Sequence, residues 1–218
     1  MAERFDLIVF DWDGTLMDSA GAIVRAMQAA TRDLGLAEIP EERARYVIGL
    51  GLGDALRHAV PDLDEASHPR MVERYRHHYL SSDHELTLFD GVAEMIDTLA
   101  ARGHMLAVAT GKSRLGLNRA LVHSGLGAYF HATRCADECF SKPHPAMLEE
   151  LMDELGAQPE RTLMIGDTTH DLQMAVNAGC ASVGVSYGAH EPDAFHELRP
   201  LHIAHSVREL HDWLQHNA

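Results

Sequence analysis

Cysteine is scarce in this chain of 218 residues, and the three present, Cys135, Cys139 and Cys180, make an odd number. A disulfide framework is therefore not expected, and reduced thiols fit the cytosol. Basic residues are also in short supply. Eighteen Lys and Arg against 33 Asp and Glu give a formal charge of -15, which works against nucleic acid or an anionic membrane except through a local basic site. A small-molecule partner is expected instead. No apolar run approaches the roughly 20 residues of a membrane span, and the start MAERFDLIVF lacks the basic segment and cleavage site of a signal peptide. The expected location is the cytoplasm. Internal repeats and low-complexity segments are missing as well. What remains is a chain long enough to bury a sizeable core, as one large domain or one domain carrying a smaller insertion.

Short apolar runs alternate with amphipathic segments. Residues 6–10 (DLIVF), 105–110 (MLAVAT), 162–166 (TLMIG) and 182–187 (SVGVSY) read as buried parallel strands. Between or after them, GVAEMIDTLAARG gathers Val92, Met95, Ile96 and Leu99 on one helical face. PAMLEELMDELG starts with Pro145 and gathers Leu148, Leu151, Met152 and Leu155, and SVRELHDWLQH opens with a capping-box pattern from Ser206 to Glu209. Strands alternating with helices predict right-handed crossovers and an α/β fold with a doubly wound, Rossmann-like parallel sheet. From about Ser19 to Asp83 the alternation stops. AGAIVRAMQAATRDLG, PEERARYVIG, GDALRHAV and HPRMVERYRHHYL all read as helices, the pattern of an inserted all-α domain. Ligands in such sheets sit at the carboxyl ends of the strands, so an insertion leaving there would cover the site as a lid.

The residues that follow the strands carry the chemistry. FDWDGTLMDS places Asp11 and Asp13 after the first strand, with Gly14 next; Thr110 and Gly111 close the second; GDTTHD after TLMIG supplies Asp167 and Asp171; and SKPHP holds Lys142. Clustered carboxylates repel one another unless a cation sits among them, and a hard divalent ion such as Mg²⁺ prefers oxygen ligands. Thr110, the Gly111 amide and Lys142 add donors beside that cation, which suits an anionic group such as phosphate. Singly, Asp171 reads as a first-turn acid on a helix dipole and Lys142 as a solvated loop residue. Together, in order and at strand ends, they read as a site.

Other patterns do not hold. His131, Cys135 and Cys139 share a helical spacing, but no fourth ligand or paired C-x-x-C accompanies them, so zinc is not expected. ATGKS around Lys112 lacks the P-loop glycine, since Leu106 stands there. Gly49, Gly51 and Gly53 lie amid helices and read as hinge or close-packing glycines of the lid, not as a dinucleotide fingerprint. The 16 histidines, five of them between His58 and His84, read as polar helix surface. His104, His123 and Ser124 form no nucleophile, base and orienter pattern.

The ordered motifs resemble those of the haloacid dehalogenase (HAD) superfamily over nearly the whole chain, and the helical insertion resembles its phosphoglycolate phosphatase-like branch. FDWDGTLMDS matches the first motif, Thr110 the second, Lys142 the third and GDTTHD the fourth. The resemblance implies a cytoplasmic phosphoric monoester hydrolase with Asp11 as nucleophile and Asp13 as general acid and base. It implies Mg²⁺ held by Asp11, the backbone carbonyl of Asp13, Asp167 and Asp171, with Thr110, Gly111 and Lys142 on the phosphate. It further implies a core of residues 1–17 and 85–218 and a helical cap of 18–84. Dehalogenases of the superfamily lack an acid where Asp13 stands, which favours phosphate esters; a sugar phosphomutase is the alternative on the same fold. A phospho-acceptor protein resembling a response-regulator receiver is disfavoured by length and by the lid, and a silent binding protein by the complete motif set. Trp12 stands where the family usually has Leu, and is expected to alter packing or lid contact without changing the chemistry. Asp18 reads as the start of the lid. Specificity would come from the cap, with Arg45, Arg57, Arg74, Arg76 and His84 as unranked candidates. Monomer and homodimer remain equally open.

Overall fold

Leu7–Phe10 is four apolar residues with no polar partner for either face, and it forms the fully buried strand β1 at the centre of a six-stranded sheet. This computed structural model describes residues 4–218, so the first three residues of the expected core lie outside the described ones. The other strands are β2 (Met105–Thr110), β3 (Ala132–Cys135), β4 (Thr162–Gly166), β5 (Ala181–Val185) and β6 (His202–Ala204), all parallel, in the order β3-β2-β1-β4-β5-β6. Phe10 pairs with Val108 of β2 and with Ile165 of β4. The chain therefore proceeds outward in one direction from β1 to β3 and in the other from β4 to β6. The reversal between β1 and β4 opens a crevice at the carboxyl ends of the strands. The expected doubly wound α/β sheet is what the structure has.

Each strand's alternation feeds two apolar layers. Ile8, Phe10, Leu106, Val108, Leu163 and Ile165 pack against α5 (Val92–Ala101), α6 (Arg114–Ser124) and α9 (Val207–Asn217). Leu7, Val9, Ala107, Ala109 and Met164 face α7 (Ala146–Leu155) and α8 (Thr169–Asn177). Each fully buried large side chain contributes about 1.5–3 kcal/mol over leaving it exposed. A third cluster is built from α1 (Ala20–Asp33), α2 (Glu41–Tyr46), α3 (Leu52–Ala59) and α4 (His68–Ser82), with Ile23, Val24, Met27, Leu56 and Met71 at its centre. The connections into and out of this helical segment run side by side: Asp18 N–H donates to the Thr87 carbonyl at 3.0 Å and Phe89 N–H to that of Leu16 at 3.0 Å. No helix among the described residues is long and apolar enough to cross a membrane.

Some elements differ from the sequence reading. β5 ends at Val185, two residues before the expected Tyr187. β3 and β6 were not expected. β3 carries half-exposed Thr133 and Arg134 between buried ends, and β6 is three residues long, so neither presents an apolar run. Cys135 therefore ends a strand instead of lying on a helix. His131 Nδ1 accepts from Leu106 N–H, while Cys139 Sγ lies 3.2 Å from Glu150 Oε1, so these three residues do not converge. The capping box at α9 is half formed, because Ser206 accepts from Glu209 N–H while Glu209 turns to the amide of His205.

Candidate active site

The sheet delivers the strand-end residues to one place. Asp11 follows β1, Asp167 follows β4, and Asp171 lies in the first turn of α8, so all three carboxylates reach the crevice at the switch point. They are fully buried, and one oxygen of each lies within 4.8 Å of the others. Gly14 makes the approach possible. It turns the chain with φ of +84°, and a Cβ there would stand 2.1 Å from Asp167 Oδ2. Lys142, also fully buried, donates to Asp11 Oδ1 and Asp171 Oδ1, each at 2.6 Å. The remaining oxygens are mostly satisfied. Asp167 accepts from Thr15 Oγ1 at 2.8 Å and from Ala189 N–H at 2.7 Å. Asp171 Oδ2 accepts from Thr168 Oγ1 at 2.7 Å, within a complete capping box. Asp11 Oδ2 has no partner.

The electrostatics of this cluster are out of balance. With all three acids ionised, the carboxylates would outnumber the ammonium bonded to them by two charges in a buried volume. Burial, opposed by Lys142 and reinforced by the neighbouring acids, pushes Asp11 well above the usual carboxylate range. Burial and the charge of Asp171 push Asp167 up to about 7. Burial opposes the charge on Lys142, but its two carboxylate partners outweigh it and raise the ammonium further. The excess of two charges equals that of a divalent cation, and the orphaned Asp11 oxygen is a ligand in waiting, so the residues fit such an ion.

That fit has a measurable consequence. A carboxyl group raised to about 7 is protonated in the folded metal-free protein while its unfolded counterpart is ionised. Its contribution to stability therefore falls as pH rises toward 7. A divalent cation displaces that proton, so Mg²⁺ should raise the melting temperature more at pH 8 than at pH 5.5. An equal or smaller shift at pH 8, read by differential scanning calorimetry, would contradict the site.

Asp13 stands apart from the three acids. Ser19 Oγ donates to its Oδ1 at 2.7 Å, and Lys112 Nζ donates to both oxygens at 2.9 and 3.0 Å. Its carboxylate thus has cation and hydroxyl donors of its own. Thr110 is buried at the end of β2, where its Oγ1 accepts from Lys112 N–H at 3.2 Å. Gly111 lies directly under the helical segment: a Cβ there would meet the Leu50 carbonyl oxygen at 2.5 Å and that of Gly49 at 2.6 Å. Gly51 N–H donates to Ser141 Oγ, next to Lys142. Gly49 and Gly51 are therefore close-packing residues that bring backbone over the site, whereas Gly53 lies in α3, where a Cβ would meet only the Arg57 guanidinium at 3.6 Å.

Several contributors were not visible in sequence. Lys112 lies in the failed P-loop pattern, and its position two residues after Thr110 is the sequence signal that ties it to the site. His170 and His190 place Nε2 at 2.7 and 3.0 Å from one acceptor, the Tyr46 carbonyl at the end of α2. His190 Nδ1 accepts from Thr169 N–H, which fixes a neutral tautomer, and burial with the neighbouring His170 pushes it down to about 4. These two histidines, expected at the surface with the rest, are buried and anchor the helical segment. Among the expected specificity residues, Arg57 and Arg74 pair with Asp54 and Asp33 on the helical segment, while Arg45 reaches the Gly188 carbonyl at 3.5 Å. Trp12 is fully buried, edge-on to Phe130 at 6.3 Å, which agrees with a packing role.

Comparison with known proteins bears on this geometry. The model of the family described as haloacid dehalogenase-like hydrolase matches residues 8–185. The protein named Probable phosphatase IndB, from Dickeya dadantii (strain 3937), is 38% identical over 94% of this chain and 91% of its own. Phosphoglycolate phosphatase of Vibrio vulnificus (strain YJ016) is 32% identical over 96% of each chain. The crystal structure of a predicted phosphoglycolate phosphatase from Haemophilus somnus 129pt superposes with a TM-score of 0.88 at 27% identity, covering all of both chains.

Proposed function

The chain belongs to the haloacid dehalogenase-like hydrolase family, and on that premise we propose that it is a Mg²⁺-dependent phosphatase acting on a small phosphorylated metabolite. The observation that carries the reading is the buried Asp11, Asp167 and Asp171 group with one ammonium and one unpartnered oxygen, Asp11 Oδ2. Asp11, Asp167, Asp171 and the backbone carbonyl of Asp13 would hold the ion, which when bound neutralises the acids and draws in the phosphoryl group. Asp11 attacks phosphorus, a P–O bond to its carboxylate forms, and the P–O bond to the leaving group breaks. Asp13 gives that departing oxygen its proton. It then takes a proton from the water that attacks the aspartyl-phosphate, releasing inorganic phosphate and restoring Asp11. Thr110, the Gly111 amide and Lys142 bind the phosphoryl oxygens, and Lys142 orients Asp11 through its 2.6 Å bond.

In this reading residues 18–84 form the cap and residues 1–17 with 85–218 the core. The Gly49 and Leu50 carbonyls over Gly111 support a closed cap that admits a compact substrate and excludes bulk water. A panel of phosphoglycolate, sugar phosphates, nucleoside monophosphates and pyrophosphate with Mg²⁺ tests the assignment by phosphate release. The expected result is turnover of a small ester. A phosphoryl group recovered on an isomeric sugar instead of as inorganic phosphate would replace hydrolysis with phosphomutase activity. Asp13→Ala should cost about 10²–10⁴-fold with a poor alkyl leaving group and much less with a good aryl one. An equal loss across both would remove the acid role.

A further inference from the structure

We propose that Lys112 is a positioning residue: it fixes the carboxylate of Asp13 and, through Tyr79, makes that orientation depend on the seating of helix α4. The inference rests on the acid and base role given to Asp13 above. An ammonium has three N–H donors. All three have acceptors here: Asp13 Oδ1 at 2.9 Å, Asp13 Oδ2 at 3.0 Å and Tyr79 hydroxyl at 2.9 Å. No donor is left for a phosphoryl oxygen, which separates Lys112 from Lys142 and from a simple phosphate-binding role. The side chains of Lys112 and Asp13 are 11% and 10% exposed, so water cannot readily substitute for either partner.

Without Lys112, Asp13 would keep only the Ser19 hydroxyl, on Oδ1, and its second oxygen would have no partner. A carboxylate held at one oxygen can turn about its last torsion, which is broad for aspartate. Gripped at both oxygens it cannot. The grip is anchored at each end. Lys112 N–H donates to Thr110 Oγ1, and the Lys112 carbonyl accepts from Ala136 N–H at 3.0 Å, so its backbone is fixed to the turn after β2. Tyr79 belongs to α4, stacks on Tyr75 with ring centroids 5.8 Å apart, and also lies with its ring centroid 4.9 Å from the ammonium. A displacement of α4 would remove one of the three acceptors of Lys112. The acid is thereby held in one orientation when the helical segment is seated, which is when a substrate is enclosed.

The test is the dependence of kcat on leaving-group basicity across a series of aryl and alkyl phosphates, measured with saturating Mg²⁺ for wild type, Lys112→Met, Lys112→Arg, Tyr79→Phe and Asp13→Ala. Lys112→Met should lose about 10–100-fold with alkyl phosphates and about threefold or less with the best aryl leaving group. Lys112→Arg should recover part of the alkyl activity, and Tyr79→Phe should show the same pattern with a smaller loss. A uniform loss across the series in Lys112→Met, at a retained melting temperature, would make Lys112 a phosphate-binding residue and overturn the proposal. If Lys112→Met unfolds, Lys112→Arg and Tyr79→Phe carry the test, and flat profiles in both overturn it. A steep profile in Asp13→Ala beside flat ones in the Lys112 variants rejects the positioning role alone. A flat Asp13→Ala profile rejects the acid role and Lys112's with it.

Discussion

Asp11→Asn should abolish phosphatase turnover while leaving the fold at least as stable as before. The expected loss is roughly 10⁴-fold or more, on the scale seen when a covalent nucleophile is removed. The amide has the same shape, so its oxygen can still accept from Lys142 at the position now 2.6 Å away. What it lacks is the negative charge and lone-pair reactivity that attack phosphorus. Stability should move the other way. Burial, with Asp171 and Asp167 nearby, already pushes the Asp11 carboxyl well above its ordinary range. Removing the charge therefore relieves repulsion in the metal-free protein, and its melting temperature at pH 8 should match or exceed wild type. The pair of measurements separates chemistry from folding. Substantial hydrolysis of an aryl phosphate by Asp11→Asn in saturating Mg²⁺ would remove Asp11 from the nucleophile's role.

How much of this was readable in the sequence depended on where apolar periodicity and strand ends coincide. β1, β2 and β4 are buried on both faces, so their runs are continuous and end sharply at Asp11, Thr110 and Asp167. Because the strands are parallel, those ends share one edge, and the gathering of Asp11, Asp167, Asp171 and Lys142 followed from order alone. The bond of Lys142 to Asp171 depends on how the loop before α7 packs against α8. The edge elements were illegible for the opposite reason. Thr133 and Arg134 of β3 face partly outward, and β6 is too short to carry a pattern. Lys112 and Tyr79 are 33 residues apart, and their bond exists because the tertiary fold brings α4 beside the turn after β2. Likewise, a single carbonyl at Tyr46 drawing in both His170 and His190 is a tertiary event that no local spacing encodes.

Lys142→Met should be the most damaging single substitution to stability in the site. Methionine matches the length and apolar stem of lysine but removes the only ammonium, among the described residues, bonded to Asp11 and Asp171, both fully buried. Breaking a buried ion pair from one side costs about 3–5 kcal/mol, because the surviving charges lose their partner without regaining water. For a chain of this size that corresponds to a fall in melting temperature of roughly 6–20 °C. The loss should be largest at pH 8 and shrink as pH falls, since protonating Asp11 or Asp167 lowers the charge that Lys142 no longer offsets. Mg²⁺ should restore part of the stability by supplying positive charge to the same acids. It should not restore turnover, because a metal on the carboxylates cannot replace the donor that orients Asp11 and meets the phosphoryl oxygens. A Lys142→Met protein with unchanged melting temperature at pH 8 without metal would mean that the three acids already share protons fully enough to need no cation. The case for a divalent ion, which starts from their excess charge, would then lose its footing.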